Sequence, residues 1–125
     1  MFLSRIEVNG KMIKETISWS DFEKIDMRIG RILSVSAFPE ARKPAYKLEI
    51  DFGPEMGIKK SSAQITDYYQ PEDLKGKQVM AVVNFEPKQI GPFISECLVM
   101  GVYDSNNQVI LLQPERNAPL GGLIG

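Results

Sequence analysis

The stretch YKLEIDF, Tyr46–Phe52, constrains the fold most, because apolar and charged residues alternate along it without a break. Its apolar residues fall on one face of a strand: Tyr46, Leu48, Ile50 and Phe52. Successive side chains of a strand point to opposite faces, so one face is predicted to pack in a core and the other to contact water. A chain of 125 residues is long enough for one core and too short for two ordinary domains. We therefore expect one domain built from half-buried strands.

Strand patterns also occur on both sides of this stretch. DMRIGRILSV alternates around Gly30, a position where a strand of a barrel would bend. MGIKKSSAQI follows a turn at Gly53–Glu55, and KQVMAVVNF is rich in Val and Met, as in a strand buried on both faces. CLVMGVYD and QVILLQPE are predicted to form a hairpin across Ser105–Asn107.

Helices are predicted to be short and few. Ser20 and Glu23 match a capping box, which predicts a helix that begins near Asp21. Pro71, followed by two acidic residues and then Gly76, predicts a second short helix. PKQIGPFISE has Gly-Pro in its middle and is predicted to be a loop. Five or more short strands with one helical insert predict an all-β fold with short helices, most plausibly a five-stranded Greek-key OB-fold barrel.

The barrel domain is predicted to span residues 18–125, and the chain has an extension at each end. In residues 1–17 the pair Asn9-Gly10 predicts a hairpin or an added strand. The C-terminal extension, NAPLGGLIG, is apolar, and terminal residues fray unless something holds them. We therefore expect a homodimer whose interface uses this tail and the segment Trp19–Phe22.

The chain has no histidine and one cysteine, Cys97, which excludes several kinds of site. Without histidine, Ser-His-Asp and Cys-His nucleophiles cannot form within one chain, and the commonest metal ligand is missing. A single thiol cannot build a thiolate metal cluster or a disulfide framework. We therefore predict a protein that is not an enzyme and that uses neither a metal nor a cofactor.

Charge and hydropathy limit where the protein can work and what it can bind. No apolar run approaches the roughly 20 residues of a membrane span, and the N-terminus lacks a secretory leader pattern. These features predict a cytoplasmic protein without membrane insertion. Because the formal net charge is -1, any binding of anions must be local.

Arg42, Lys43 and Lys47 form a local cluster of positive charge, which Lys59 and Lys60 would join if the next strand returns alongside. One interpretation is a set of solvated cations that balance nearby acidic residues. The other interpretation is an anion-binding rim on one face of the barrel.

Polar residues in the stretch SSAQI could extend that rim. Ser61, Ser62 and Gln64 stand where Val or Ile would normally fill a strand. They indicate either an ordinary exposed face or a row of hydrogen-bonding groups.

The stretch VVNFEPKQIGPF could supply further recognition groups. Asn84 interrupts an apolar strand, and it is either a turn residue with a bound side chain or a recognition group. Lys88, Gln89 and Phe93 follow in the predicted loop, where binding residues commonly collect. Amides, a cation and aromatic rings on one side of a barrel are expected of a groove for unpaired nucleotides or an extended peptide.

FPEARKPAYKLEIDFG, SSAQIT and VVNFEPKQIGPF are together similar, in order and spacing, to the tRNA-binding domain family. The similarity covers residues 18–125, and the family includes a C-terminal domain of bacterial methionyl-tRNA synthetases and a set of free-standing proteins. The resemblance implies an OB-fold homodimer that binds tRNA by structure more than by sequence. Its export-related chaperone branch, which the chain resembles most, implies binding of unfolded or export-bound polypeptides as the alternative.

In the tRNA hypothesis, cations contact phosphates and the amide side chains supply hydrogen bonds. In the peptide hypothesis, Phe38, Tyr46 and Phe93 supply apolar contacts if they are exposed. The complete set of predicted binding residues is Phe38, Arg42, Lys43, Tyr46, Lys47, Lys60, Ser61, Ser62, Gln64, Asn84, Lys88, Gln89 and Phe93.

Overall fold

The structure, a computed structural model, describes residues 7–8 and 11–125. Its strands are β1 Glu7–Val8, β2 Lys11–Met12, β3 Met27–Ala37, β4 Tyr46–Asp51, β5 Ile58–Ala63, β6 Gln78–Val82, β7 Lys88–Ile90, β8 Phe93–Ser95, β9 Leu98–Val99, β10 Gly101–Tyr103 and β11 Val109–Leu111. Its helices are α1 Trp19–Glu23 and α2 Pro71–Leu74. Within the described residues, neither helix is long and apolar enough to cross a membrane.

The central sheet has five antiparallel strands in the order β5-β4-β3-β6-β9. Strand β3 is 11 residues long and pairs with β4 along one part and with β6 along another. Its register against β4 shifts between Ile32 and Ser34, where Leu33 is inserted as a bulge. The bulge and the crowded glycine Gly30 let β3 curve from one neighbour to the other.

The sheet closes on itself where β5 meets the segment after β8. The backbone N–H of Glu96 donates to the carbonyl of Lys60 over 2.8 Å, and the N–H of Lys60 donates to the Glu96 carboxylate over 2.9 Å. These bonds satisfy the outer edge of β5, which would otherwise stay open to water. The result is the nearly closed, five-stranded OB-fold barrel that the sequence predicts.

The barrel interior is apolar and tightly packed. The inward residues of YKLEIDF are buried as predicted, with Leu48 and Ile50 at 0% exposure. Helix α2 covers one end of the core with Leu74, which is also fully buried. At Gly30, an added Cβ would lie 2.5 Å from Ile50 Cγ2, so only glycine fits this point of β3.

Two local predictions are wrong. The N-cap of α1 is Ser18 rather than Ser20, because the Ser18 hydroxyl accepts from the N–H of Asp21 over 3.1 Å and the Asp21 carboxylate reaches back to Ser18. The predicted loop PKQIGPFISE contains the hairpin β7–β8, in which Gly91 takes a φ of 57° at the turn. The predicted hairpin after Cys97 is present as β10–β11.

Strand β1 and the C-terminal tail each pair with another segment of the described residues. Strand β1 pairs antiparallel with β2, and the turn predicted at Asn9-Gly10 lies outside the described residues. The C-terminal tail returns to β3: the N–H of Gly121 donates to the carbonyl of Ile29 over 2.8 Å, and the N–H of Ile124 donates to that of Met27 over 2.9 Å. The tail is therefore held by its own chain, so a second copy is not needed to hold it.

Candidate nucleic-acid interface

A row of residues crosses the outer face of the barrel through five strands, β3, β4, β5, β8 and β7. Lys47 of β4 is the register partner of Ser36 in β3 and of Ser62 in β5. The N–H of Ser62 donates to the hydroxyl of Ser95 over 3.1 Å, and Ser95 is the register partner of Lys88 in β7. The bond from Ser62 to Ser95 thus joins the central sheet, which carries Lys47, to the hairpin β7–β8, which carries Lys88.

Two lysines of this face stand over aromatic rings. The ammonium of Lys47 lies 5.6 Å from the ring centre of Phe38, and that of Lys60 lies 5.5 Å from the ring centre of Phe93. The two rings pack against each other with their centres 5.3 Å apart. Cation–π attraction of this kind restrains a lysine without neutralising it. The pair of rings therefore holds both positive charges at defined places on the surface.

The loop after β3 carries Arg42 and Lys43, both of which are exposed. Its first residue, Phe38, contacts Phe93 of β8, and a Cβ placed on Gly91 would lie 3.6 Å from the Cβ of Glu40. The loop therefore packs beside the tip of the hairpin β7–β8. We call the surface formed by Arg42, Lys43, Lys47, Lys60 and Lys88 the basic surface.

Acidic residues lie on the basic surface without pairing with its cations. The Glu49 carboxylate accepts from the Ser34 hydroxyl over 2.7 Å, and the Glu96 carboxylate accepts from the backbone of Lys60. In the part of the chain that the structure describes, the ion pairs involve Lys24, Arg28 and Arg116 only. The five cations thus remain available to a negatively charged ligand.

Several predicted site residues do not present their side chains at this surface. Ser61 is 0% exposed and its hydroxyl donates to the carbonyl of Cys97 over 2.8 Å, inside the barrel. Phe38 is buried beneath Lys47, and Tyr46 is buried with its hydroxyl bonded to the carbonyl of Tyr69. The peptide hypothesis requires Phe38, Tyr46 and Phe93 to be exposed. Phe38 and Tyr46 are buried, and Phe93 is half-buried.

The remaining predicted residues divide into surface groups and one engaged amide. Ser62 and Gln64 lie on or next to β5, whereas Gln89 of β7 faces away from its neighbour Lys88 and donates to the carbonyl of Gly91 over 3.1 Å. Asn84 uses both ends of its amide: its oxygen accepts from the N–H of Asp26 over 3.0 Å, and its nitrogen donates to the carbonyl of Lys24 over 2.7 Å. These contacts favour the structural interpretation of Asn84.

Sequence reasoning missed the groups that close the barrel beside this surface. Ser95 and Glu96 satisfy backbone N–H groups of β5, but the stretch that contains them lacks any periodic pattern. Lys59 does not join Lys60 on the basic surface, because neighbours in a strand face opposite ways and Lys59 is the register partner of the buried Ile50. The charge of Lys59 acts instead on the thiol of Cys97, where it lowers the pKa. Burial raises the pKa of that thiol to about 11.

Most of the chain matches a known protein family. Residues 27–122 match the family model described as "Putative tRNA binding domain". The chain belongs to the tRNA-binding domain family. The matched residues include the whole barrel and all five cations of the basic surface.

Solved structures of similar proteins cover nearly the whole chain. The chaperone CsaA from Bacillus anthracis str. Ames is 50% identical with a TM-score of 0.83, and the match covers 89% of this chain and 100% of that one. The CsaA chaperone protein from Picrophilus torridus is 52% identical with a TM-score of 0.83, covering 88% of this chain and 100% of that one. These family members share the fold over their full length.

The family domain also occurs as a small part of a much longer protein. The methionine–tRNA ligase of Pyrococcus furiosus is 34% identical over 118 residues, which is 94% of this chain but only 16% of the ligase. The chain therefore spans about one-sixth of the length of that relative.

Proposed function

We propose that this protein binds tRNA through the basic surface and carries out no catalysis of its own. The proposal is supported by the match of residues 27–122 to a tRNA-binding domain and by the five cations of the basic surface, which take part in no ion pair among the described residues. Affinity for nucleic acid comes largely from such cations, which replace the counterions of the phosphate backbone. The formal net charge of -1 leaves the rest of the molecule without a positive field, which limits indiscriminate binding of RNA.

Each cation has a distinct part in this proposal. Arg42 is exposed, and its planar fork suits a bidentate contact with one phosphate. Lys43 and Lys88 are exposed point charges that can follow a mobile backbone. Lys47 and Lys60 are held over aromatic rings, so less side-chain freedom is lost when they meet a phosphate. Ser62 and Gln64 add hydrogen-bonding groups on and next to β5.

Fluorescence anisotropy with labelled bulk tRNA tests the proposal. We expect binding that weakens steeply as salt rises, because every phosphate contact releases counterions. Absence of tRNA binding at low salt would refute the proposal.

Binding of unfolded polypeptides is a second candidate function. The similar proteins from B. anthracis and P. torridus are both named as chaperones, and this chain exposes several large apolar side chains around β9–β11: Leu98, Val102, Tyr103 and Ile110. Contacts made by such side chains depend little on salt. An apolar peptide that binds equally at two salt concentrations, in the same assay in which tRNA does not bind, would favour this function over the first.

A homodimer in the cytoplasm completes the proposal. Trp19 of α1 is 79% exposed, and Leu123, which pairs with Arg28 of β3, is 67% exposed. A second copy would bury them and would place two basic surfaces on one particle, which raises avidity for tRNA.

Light scattering should report a dimer for the whole chain and a monomer for Trp19→Ser with Leu123→Ser. Point variants are preferred to truncation after Pro114, because truncation also removes the tail residues that hydrogen-bond to β3. A whole chain that is monomeric at micromolar concentration would contradict the dimer.

A further inference from the structure

A polar groove lies under the segment that follows β11, apart from the basic surface. Its volume is about 280 Å³, and its lining includes Arg31, Lys77, Gln113, Glu115, Arg116 and Asn117. We call it the C-terminal groove. Arg31 is the register partner of Asp51, which lies four residues along β4 from Lys47, so the two sites are separated by roughly 13 Å along that strand.

Hydrogen bonds at both ends of the segment hold the groove open. At one end, the Gln78 amide donates to the carbonyl of Ala118 over 2.7 Å and accepts from its N–H over 2.9 Å. At the other end, the carbonyl of Leu112 accepts from Met80 and its N–H donates to Met100. Gln78 is 7% exposed, so its bonds are shielded from water. The groove is therefore formed before any ligand arrives.

Positive charge predominates in the C-terminal groove. One N–H of the Arg31 guanidinium donates to the carbonyl of Gly76 over 2.9 Å, which orients the fork and leaves its other donors for a ligand. The nearby Asp51 carboxylate is engaged by the N–H of Gly53 over 2.8 Å. Among the described residues, Arg31 and Lys77 take part in no ion pair.

The acid in the groove opposes this charge only weakly. Arg116 pairs with its neighbour Glu115 over 2.7 Å, but the two side chains are 84% and 78% exposed. An ion pair in water contributes little, so Arg116 can exchange the carboxylate for another anion. The amides of Gln113 and Asn117 add neutral donors at the rim.

We propose that the C-terminal groove binds a phosphate group, with Arg31 as a bidentate anchor and Lys77 as a second cation. A guanidinium held by a carbonyl, a lysine and neutral amide donors together match the several oxygens of a phosphate. The phosphate belongs either to an RNA backbone or to a small phosphate compound. The first of these sources rests on the proposed function, and the second does not.

Titration of the ¹⁵N-labelled protein with tripolyphosphate, followed by NMR, tests the groove directly. We expect saturable shifts of the amide signals of Gly76, Lys77 and Asn117. In Arg31→Gln with Lys77→Gln, affinity at these signals should fall by about tenfold or more, because charge-assisted hydrogen bonds are lost. Arg31→Lys with Lys77→Arg keeps both charges and should retain most of the affinity.

Lys75→Gln is the matched control, since Lys75 is exposed beside Gly76 but does not line the groove. It should bind tripolyphosphate as the unaltered protein does. Shifts confined to the basic surface, or equal affinity of the folded double Gln variant, would overturn the proposal.

Binding of tRNA by the same variants then identifies the source of the phosphate. If the groove holds RNA backbone, the double Gln variant should lower the slope of log affinity against log salt by roughly 0.7 to 0.9 for each lost contact. An unchanged slope together with lost tripolyphosphate binding assigns the groove to a small phosphate compound. A protein that binds no tRNA refutes the proposed function, while the tripolyphosphate titration still decides the groove.

Discussion

Replacing Arg42, Lys43 and Lys47 together by alanine should flatten the salt dependence of tRNA binding. Each phosphate contact contributes about 0.7 to 0.9 to the slope of log affinity against log salt. The three cations are in no ion pair within the described residues, so each is free to contribute one contact. The slope should therefore fall by roughly 2 to 3, and affinity at low salt should fall with it.

The triple variant should remain folded, so that its binding can be interpreted. Arg42 and Lys43 are exposed loop residues whose replacement should change stability by about 0.5 kcal/mol or less. Lys47→Ala removes the cation over Phe38, and for this half-buried pair the loss should be about 1 kcal/mol. Thermal unfolding of the variant should show only a small decrease in Tm.

The assay is fluorescence anisotropy with labelled bulk tRNA across a series of salt concentrations. The matched control replaces Lys14, Lys24 and Lys75 by alanine. This removes the same number of positive charges, but from exposed positions outside the basic surface. We expect the control to keep the original slope. A triple variant with an unchanged slope, or a control that loses as much, would show that local contacts by Arg42, Lys43 and Lys47 do not carry binding.

Three further experiments test the contacts of Asn84, the packing at Gly30 and the burial of Cys97. Asn84→Ala should lose about 1 to 2 kcal/mol of stability, because the N–H of Asp26 and the carbonyl of Lys24 lose their partner. Its tRNA affinity should not change. A folded variant with weaker tRNA binding would favour the recognition hypothesis instead. Gly30→Ala should lose about 1 to 3 kcal/mol or more in urea unfolding, since its Cβ meets Ile50 at 2.5 Å, and an unaltered midpoint would contradict this packing. Burial raises the pKa of the Cys97 thiol to about 11. Cys97 should therefore react with a thiol reagent far more slowly in the native protein than in denaturant, and equal rates would be evidence against burial.

The strands that the sequence predicts well are those with a clear period. YKLEIDF alternates strictly, and its inward residues are all buried in the barrel. The hairpin β7–β8 shows no such period, because each strand has only three residues and Gly-Pro lies between them. In such short strands the pairing is set by a turn geometry, here the positive φ of Gly91, that composition alone does not determine.

The site was harder to predict because adjacent polar residues of a strand face opposite ways. In SSAQI nothing local decides whether Ser61 or Ser62 faces the core. Register against β4 decides it: Ser61 is opposite the buried Leu48, and Ser62 is opposite Lys47 on the basic surface. Ser61 can be buried only because the carbonyl of Cys97, 36 residues away, accepts its hydroxyl. A partner so distant in sequence cannot be identified from the local pattern.

The paired rings under the basic surface also bear on which nucleic acids it should prefer. Proteins that bind single strands usually stack bases on exposed aromatic faces, at about 1 to 3 kcal/mol per base. Here Phe38 is buried, and the ammonium groups of Lys47 and Lys60 stand over the rings of Phe38 and Phe93. The surface therefore offers charge to a backbone and little open ring surface to a base. We expect folded tRNA to compete against labelled tRNA much more effectively than an unstructured poly(U) of equal length. Equal competition would mean that the basic surface recognises phosphate density alone, whatever the shape of the RNA.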